Sequence, residues 1–143
     1  MALERTLSIV KPDGLEKGII GKVVSRFEEN GLKPVAMRMQ WLSTKEAEGF
    51  YAVHKARPFF RDLVTFMTSG PCLPMALERS DAVATLRQVI GATDPAEAAP
   101  GTVRKLYAES KGRNAIHASD SDENARREVA FFFTEAELAG LWG

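Results

Sequence analysis

The sequence predicts an α+β sandwich, a β-sheet carrying helices, on three observations. Short runs alternate apolar and polar residues with the period of a strand. Other stretches place apolar residues three and four apart, the spacing of one helix face. The two kinds interleave as strand, helix, strand, helices, strand, helix, long loop, strand, which suits helices laid over one sheet. The 143 residues, 45% hydrophobic and 27% charged, suffice for one compact domain over 1–143 and not for two.

Thr6 to Val10 alternates Leu7 and Ile9 with Thr6 and Ser8, a strand expected to be half-buried, and Lys11-Pro12-Asp13-Gly14 turns the chain after it. Ile20, Val23, Val24 and Phe27 then mark an amphipathic helix, with Gly31 after Asn30 where a left-handed cap belongs. The start of that helix, Gly18-Ile19-Ile20-Gly21-Lys22-Val23, has the look of a phosphate loop. Its glycine spacing is too short, however, and Val23 stands where a magnesium-holding Ser or Thr would be. Val35, Met37, Met39 and Trp41 alternate with Ala36, Arg38 and Gln40, a second strand with one buried face.

Ser43 and Glu46 read as a capping box opening a helix on which Ala47, Phe50, Tyr51 and His54 share a face, closed by Pro58. Phe59 to Met67 is a further helical piece, and Ser69-Gly70-Pro71 a turn. Cys72 to Leu77 is strand-like despite Pro74, which cannot donate a ladder hydrogen bond and so marks an edge or a bulge. Asp81 caps a helix through Val83, Leu86 and Ile90 that Gly91 stops. From Ala92 to Glu123 the chain is poor in large apolar side chains and rich in Gly, Pro, Ser, Asp and Asn. Connections longer than about 15 residues are uncommon in compact domains and are often functional. Glu128 to Phe133 reads as a last buried strand, and Thr134 with Glu137 boxes the start of a short C-terminal helix.

Nineteen basic residues balance nineteen acidic ones, so no general field draws the chain to nucleic acid or to an anionic membrane, and any anion site must be local. The single Cys72 cannot form an intrachain disulfide and implies a reducing compartment. The N-terminal apolar run is flanked by Glu4 and Arg5 and broken by Pro12, unlike a signal peptide, and no run reaches the ~20 apolar residues of a membrane span. A soluble cytoplasmic protein is expected. One cysteine and two histidines exclude an ordinary structural zinc site, and no G-x-S-x-G elbow occurs.

Of the two histidines, His54 shares its predicted helix face with Phe50 and Ala47 and reads as a packed side chain. His117 lies in the long loop among small and polar residues, where position alone favours a solvated side chain. Its company argues otherwise. Arg87, Arg104, Lys105, Lys111 and Arg113 cluster around the loop in sequence with Thr93, Thr102, Asn114 and Ser119, a set of donors suited to phosphate oxygens or, failing that, to a solvated charged surface. A histidine of ordinary pKa near ~6.5 is largely neutral at pH 7 and offers a ring nitrogen for nucleophilic attack on phosphorus.

The strings ERTLSIVKPDG, FYAVHKARPFF, FMTSGP, GATDPAEAAPGTVR and NAIHASDS occur in the order and at the spacing of the nucleoside diphosphate kinase family, which the chain resembles from Thr6 to Phe133. NAIHASDS is the most specific, since it resembles that family's signature around a phosphorylated histidine. The resemblance implies a ferredoxin-like α/β sandwich with a four-stranded antiparallel sheet covered by helices. It implies transfer of the γ-phosphate of a nucleoside triphosphate to a nucleoside diphosphate by a ping-pong mechanism with His117 as nucleophile. Lys11, Arg87 and Arg104 would offset phosphate charge, Thr93 and Asn114 would donate neutral hydrogen bonds, and Tyr51 would bring a hydroxyl near the phosphoryl group or the imidazole. Phe59 would stack on the base, and Ser119 and Glu128 would orient the imidazole.

Magnesium would arrive on the nucleotide phosphates, with no metal site of the protein's own. A homo-oligomer is implied, and likeness to the shorter bacterial members favours a tetramer over a hexamer. The apolar tail Leu138, Leu141 and Trp142 supplies surface for a neighbour or for the chain's own core. Three positions depart from the family pattern: Ala118 for glycine, Asp94 for asparagine, and Pro74 within a strand. Ala118 is harmless if its φ is negative, and Asp94 adds a negative charge near the phosphates. The alternative to catalysis is a nucleotide-binding or regulatory protein on the same fold; a phosphatase using the same phosphohistidine is a further enzyme reading.

Overall fold

The computed structural model describes residues 3–142, and the side chains of residues 3–139. Its elements run β1 (Glu4–Val10), α1 (Pro12–Glu16), α2 (Ile20–Glu29), β2 (Lys33–Met37), α3 (Thr44–Phe50), a 3-10 turn (Ala52–His54) and α4 (Phe60–Met67). There follow β3 (Leu73–Arg79), α5 (Ala82–Ile90), α6 (Val103–Tyr107), β4 (Ile116–Ala118), α7 (Asp122–Phe132) and α8 (Glu135–Trp142). The strands form one antiparallel sheet in the order β2-β3-β1-β4. Among the described residues no helix is long and apolar enough to cross a membrane.

Helices cover both faces of the sheet. Leu7 and Ile9 point into a core shared with Phe50, Val64, Met67, Val129 and Phe132 of α3, α4 and α7. Val10, Met75 and Leu77 point the other way, onto Val23 and Phe27 of α2 and Leu86 and Ile90 of α5. β1 is therefore buried on both faces from Thr6 to Val10, and not half-buried as its alternation suggests.

Local signals explain most boundaries. Ser43 Oγ accepts from Glu46 N at 3.1 Å while Glu46 Oε1 accepts from Ser43 N at 2.8 Å, a closed capping box. Thr134 and Glu137 form the second box at α8. Gly31 and Gly91 take the positive φ that ends α2 and α5. Asp81 stands at the start of α5, but with φ +54° its side chain makes no cap bond, which corrects its expected role.

The fourth strand lies elsewhere than expected. Glu128 to Phe132 is the second half of α7, with Phe133 its extended C-cap, and the helix is capped at its start by Ser121 Oγ on Asn124 N at 3.1 Å. A short apolar run reads equally as buried strand or buried helix. Ala125, Glu128, Val129 and Phe132, one helix face, are buried while Phe131 projects outward. The sheet is completed instead by Ile116–Ala118, inside the stretch expected to be a loop, which also holds α6.

The buried face expected for β2 is corrected as well. Only Val35 of that series is buried, whereas Met37, Met39 and Trp41 are exposed by 46%, 58% and 63%. β2 is an edge strand with a bulge between Pro34 and Ala36, which rephases the alternation. Pro74, conversely, sits in the interior strand β3. Its carbonyl accepts from Arg38 N at 3.2 Å, just past the end of β2, and pairing resumes only at Gln40 and Cys72. The missing proline N–H thus falls at the gap in the β2–β3 ladder, which accounts for its tolerance. Leu138 is buried, and the side chains of Leu141 and Trp142 lie outside the described residues.

Candidate active site

The site begins with a pairing register. β4 pairs with the end of β1 so that Ile9 faces His117 and Val10 faces Ile116. Alternation then sends Ile116 and Ala118 into the α2–α5 core and His117 to the other face, where its ring meets Phe50 edge-on at 5.4 Å and Tyr51 at 6.2 Å. Lys11, the next residue after β1, donates its backbone N–H to Ala115 O at 2.9 Å. Two residues more than a hundred positions apart are thereby neighbours.

His117 Nε2 lies 2.7 Å from Glu128 Oε1, and Ser119 Oγ donates to the same carboxylate oxygen at 2.8 Å. Glu128 is buried on α7, with Arg127 Nη2 at 3.6 Å from its other oxygen. Burial alone would raise the Glu128 pKa, but the hydrogen bonds from His117 and Ser119 and the charges of His117 and Arg127 outweigh it and hold the group below its ordinary value. Burial also dominates at His117 and lowers its pKa; Glu128 opposes this while Lys11 and Arg104 add to it. Both directions favour a neutral imidazole beside an ionised carboxylate. Such a pair assigns the ring proton to Nε2 and leaves the lone pair on Nδ1, which has no protein partner among the described residues.

Cations line the cleft above this ring. Lys11 is buried, and its Nζ donates to Asn114 Oδ1 at 2.9 Å. Its pKa falls to about 8, chiefly through burial and then through Arg104, with Asp13 opposing. Arg104, on α6 and 5% exposed, donates to Ile116 O at 2.7 Å and to Gly91 O at 3.2 Å. Burial and then Arg87 lower its pKa to about 10. Arg104 Nε is buried without a partner. Arg87 reaches in from α5, donating to Ala118 O at 3.3 Å, and Thr93 stands exposed on the cleft wall. Lys11, Arg87 and Arg104 outnumber the one carboxylate of the cleft lining, Asp62, and form a cradle for an anion.

The cleft has a volume near 840 Å³, room for a ligand larger than a phosphate ion. Lys11, Tyr51, Phe59, Arg87, Thr93, Arg104 and His117 line it together, while Asn114, Ser119 and Glu128 contact that lining from beneath. Tyr51 is buried with its hydroxyl unpartnered, and burial, then Cys72 and Glu128, raise its pKa. Phe59 stands half-exposed on the rim, its ring 5.7 Å from that of His54. His54 is thus part of the cleft wall, in a 3-10 turn beyond α3, and not a packed core side chain. Asp62, Leu63 and Phe66 of α4 also line the cleft and were not apparent from sequence; their spacing of one and three residues from one another is the only signal they carry.

Of the departures, Ala118 is in β4 and not among the positive-φ residues, so its methyl group brings no backbone strain. Asp94 accepts from Ala96 N at 3.0 Å, a bond an asparagine oxygen makes equally well.

Comparison with known proteins agrees with this geometry. The family model described as nucleoside diphosphate kinase matches residues 4–138. The nucleoside diphosphate kinase of Myxococcus xanthus is 64% identical over 138 residues, covering 96% of this chain and 95% of that protein. That of Anaeromyxobacter sp. strain Fw109-5 is 63% identical, covering 96% and 94%. Among solved structures, the Aquifex aeolicus nucleoside diphosphate kinase superposes with a TM-score of 0.93 at 47% identity, over 95% of this chain and 99% of that one. The Halobacterium salinarum enzyme in complex with CDP gives 0.90 at 44% identity, over 95% and 91%. Sheet order, a histidine facing a cationic cleft and similarity along almost the full length lead to one assignment: the chain belongs to the nucleoside diphosphate kinase family.

Proposed function

We propose that this phosphotransferase works through Nδ1 of His117, in a ping-pong cycle that serves donor and acceptor at one site. The observation that carries the reading is the 2.7 Å contact of His117 Nε2 with Glu128, which leaves Nδ1 as the nitrogen with a free lone pair. Nδ1 attacks the γ-phosphorus of a nucleoside triphosphate, the bond to the β–γ bridging oxygen breaks, and the diphosphate leaves. A terminal oxygen of a second nucleoside diphosphate then attacks the phosphorus, and the N–P bond breaks. The imidazole gains positive character as the N–P bond forms and gives it up as that bond breaks, so it is positive in both transition states, where the ionised Glu128 stabilises it through Nε2–H.

Lys11, Arg87 and Arg104 offset charge on the phosphoryl oxygens, Asn114 and Thr93 donate neutral hydrogen bonds, and the Tyr51 hydroxyl stays protonated as a donor. Phe59 stacks on the base from the rim, a contact that any base can make. Glu128 is taken up by His117 and Ser119 and Asp62 is the one carboxylate in the cleft lining, a set that fits magnesium carried on the nucleotide phosphates better than magnesium held by protein carboxylates. Arriving with the substrate, the ion would offset phosphate charge alongside Lys11, Arg87 and Arg104.

The reading extends to one domain over 1–143, a cytoplasmic setting consistent with the lone Cys72, and a homotetramer. Apolar Met37 at the end of the edge strand and Met39 and Trp41 beyond it supply surface for self-association, and sedimentation velocity separates tetramer from hexamer.

The decisive experiment mixes the protein with magnesium and ATP labelled in the γ-phosphate, then chases with GDP, beside His117→Ala. An acid-labile, alkali-stable label that is absent from the variant and passes into GTP supports the assignment. Labelling that survives in His117→Ala sinks His117 as nucleophile, and release of free phosphate in place of GTP points to a phosphatase.

A further inference from the structure

The Lys11-Pro12-Asp13-Gly14 turn that opens α1 carries a group the chemistry above leaves unused. Asp13 is 1% exposed, and its Oδ2 accepts the backbone N–H of Ala115 at 2.9 Å. Ala115 is one of two non-glycine residues with positive φ among the described residues, at +71°, and Ile116 N donates to Asn114 O at 2.8 Å across it. That closes a three-residue turn, a conformation in which an L-residue is strained by its own Cβ.

The strained residue is gripped at both ends. Asp13 takes its N–H and the Lys11 backbone N–H takes its carbonyl at 2.9 Å. Gly14 permits the approach, for a Cβ there would stand 3.0 Å from Ala115 O and 2.7 Å from Val10 Cγ1. The flanking residues carry the site: Asn114 Oδ1 receives Lys11 Nζ, Ile116 O receives Arg104 Nη2, and His117 comes next.

We infer that Asp13 is a positioning residue for phosphoryl transfer, acting as a clamp on the backbone of Ala115. It holds the left-handed turn that sets Asn114 against Lys11 and the Ile116 carbonyl against Arg104. Without it Ala115 relaxes toward negative φ, the peptide units on both sides rotate, and both partners leave the cations. The clamp itself requires an acceptor oxygen at this place; the negative charge acts separately, by favouring the ammonium of Lys11. This deepens the proposed function and rests on the roles given there to Lys11, Arg104 and Asn114.

The test compares Asp13→Ala, Asp13→Asn and Asp13→Ala with Ala115→Gly, in the full chain, by single-turnover phosphorylation from ATP. The Ala variant is expected to lose at least about tenfold in the transfer rate at saturating nucleotide, while the Asn variant, which keeps an acceptor, stays within about threefold of wild type. Glycine takes positive φ without strain, so the loss from Asp13→Ala should shrink by about fivefold when position 115 is glycine. A second readout is independent of activity: exchange of the Ala115 amide hydrogen is slow in wild type and Asp13→Asn and fast in Asp13→Ala.

A folded Asp13→Ala enzyme with unchanged transfer, or equal losses in the Asn and Ala variants, overturns the clamp. So does a loss that is the same on either background. If Asp13→Ala does not fold, the Asn variant and its amide exchange decide alone. Wild type and His117→Ala run alongside: absence of transfer in wild type condemns the functional assignment, whereas the exchange data then still judge the clamp.

Discussion

Replacing Glu128 by glutamine isolates what its charge does. The side chain keeps its length and an oxygen for His117 Nε2–H, now 2.7 Å away, and for the Ser119 hydroxyl at 2.8 Å, but it no longer balances positive charge gained by the imidazole. Hydrogen bonds to charged groups contribute about 1.5–3 kcal/mol, which the buried setting of Glu128 keeps from being screened by water. The hydrogen bond is already made in the neutral ground state, so what glutamine loses is the added attraction of the carboxylate for the positive imidazole of the transition state; a loss of that size slows phosphorylation by roughly 10- to 140-fold, at about 1.4 kcal/mol per tenfold. The assay is a single-turnover reaction with ATP by rapid quench, with nucleotide affinity measured separately so that binding and chemistry are distinguished. A transfer rate within about threefold of wild type, or a defect confined to nucleotide affinity, refutes the argument that Glu128 stabilises charge on His117.

Activity should follow a bell-shaped pH profile. His117 must be neutral to attack, and its pKa lies below the ordinary imidazole value, so activity is lost only as pH falls through that lowered value. Lys11 must be protonated, so kcat/KM declines as pH rises through about 8, whereas bound phosphates favour the ammonium and carry the alkaline limb of kcat higher. Coincident alkaline limbs in the two profiles would exclude Lys11 as their source. Ala118→Gly should leave kcat within about twofold, because no positive φ is relieved, and should cost about 0.5–1 kcal/mol in denaturant unfolding through chain entropy. The Cys72 thiol is fully buried and pushed up to about 12 by burial and then by Glu46, so native protein should react with a thiol reagent at least about a thousandfold slower than unfolded protein.

Much of the site was legible because its chemistry is written in residue types. His117, the arginines around it and the strings that accompany them announce phosphate chemistry without any coordinates. Caps such as Ser43 with Glu46, and the glycines ending α2 and α5, are equally local, since four consecutive residues contain both donor and acceptor. The misreadings share one cause. Whether Glu128-Val129-Ala130-Phe131-Phe132-Phe133 is strand or helix depends on which neighbours bury it, and periodicity within six residues does not contain that information. Ile116–Ala118 is too short to signal a strand and becomes one only because the end of β1 is free to pair with it.

The α+β class, the first three strands with the helices between them, the lone thiol and the residue types suited to phosphate were legible in the sequence by itself. The tertiary structure decided that His54 lines the cleft, that Met37, Met39 and Trp41 stay outside, and that Pro74 sits at a gap in an interior ladder. It also decided which nitrogen of His117 is free, and that Asp13 grips Ala115 from across the chain. These are relations between residues up to about a hundred positions apart, and only packing and hydrogen-bond register bring such residues within reach of each other.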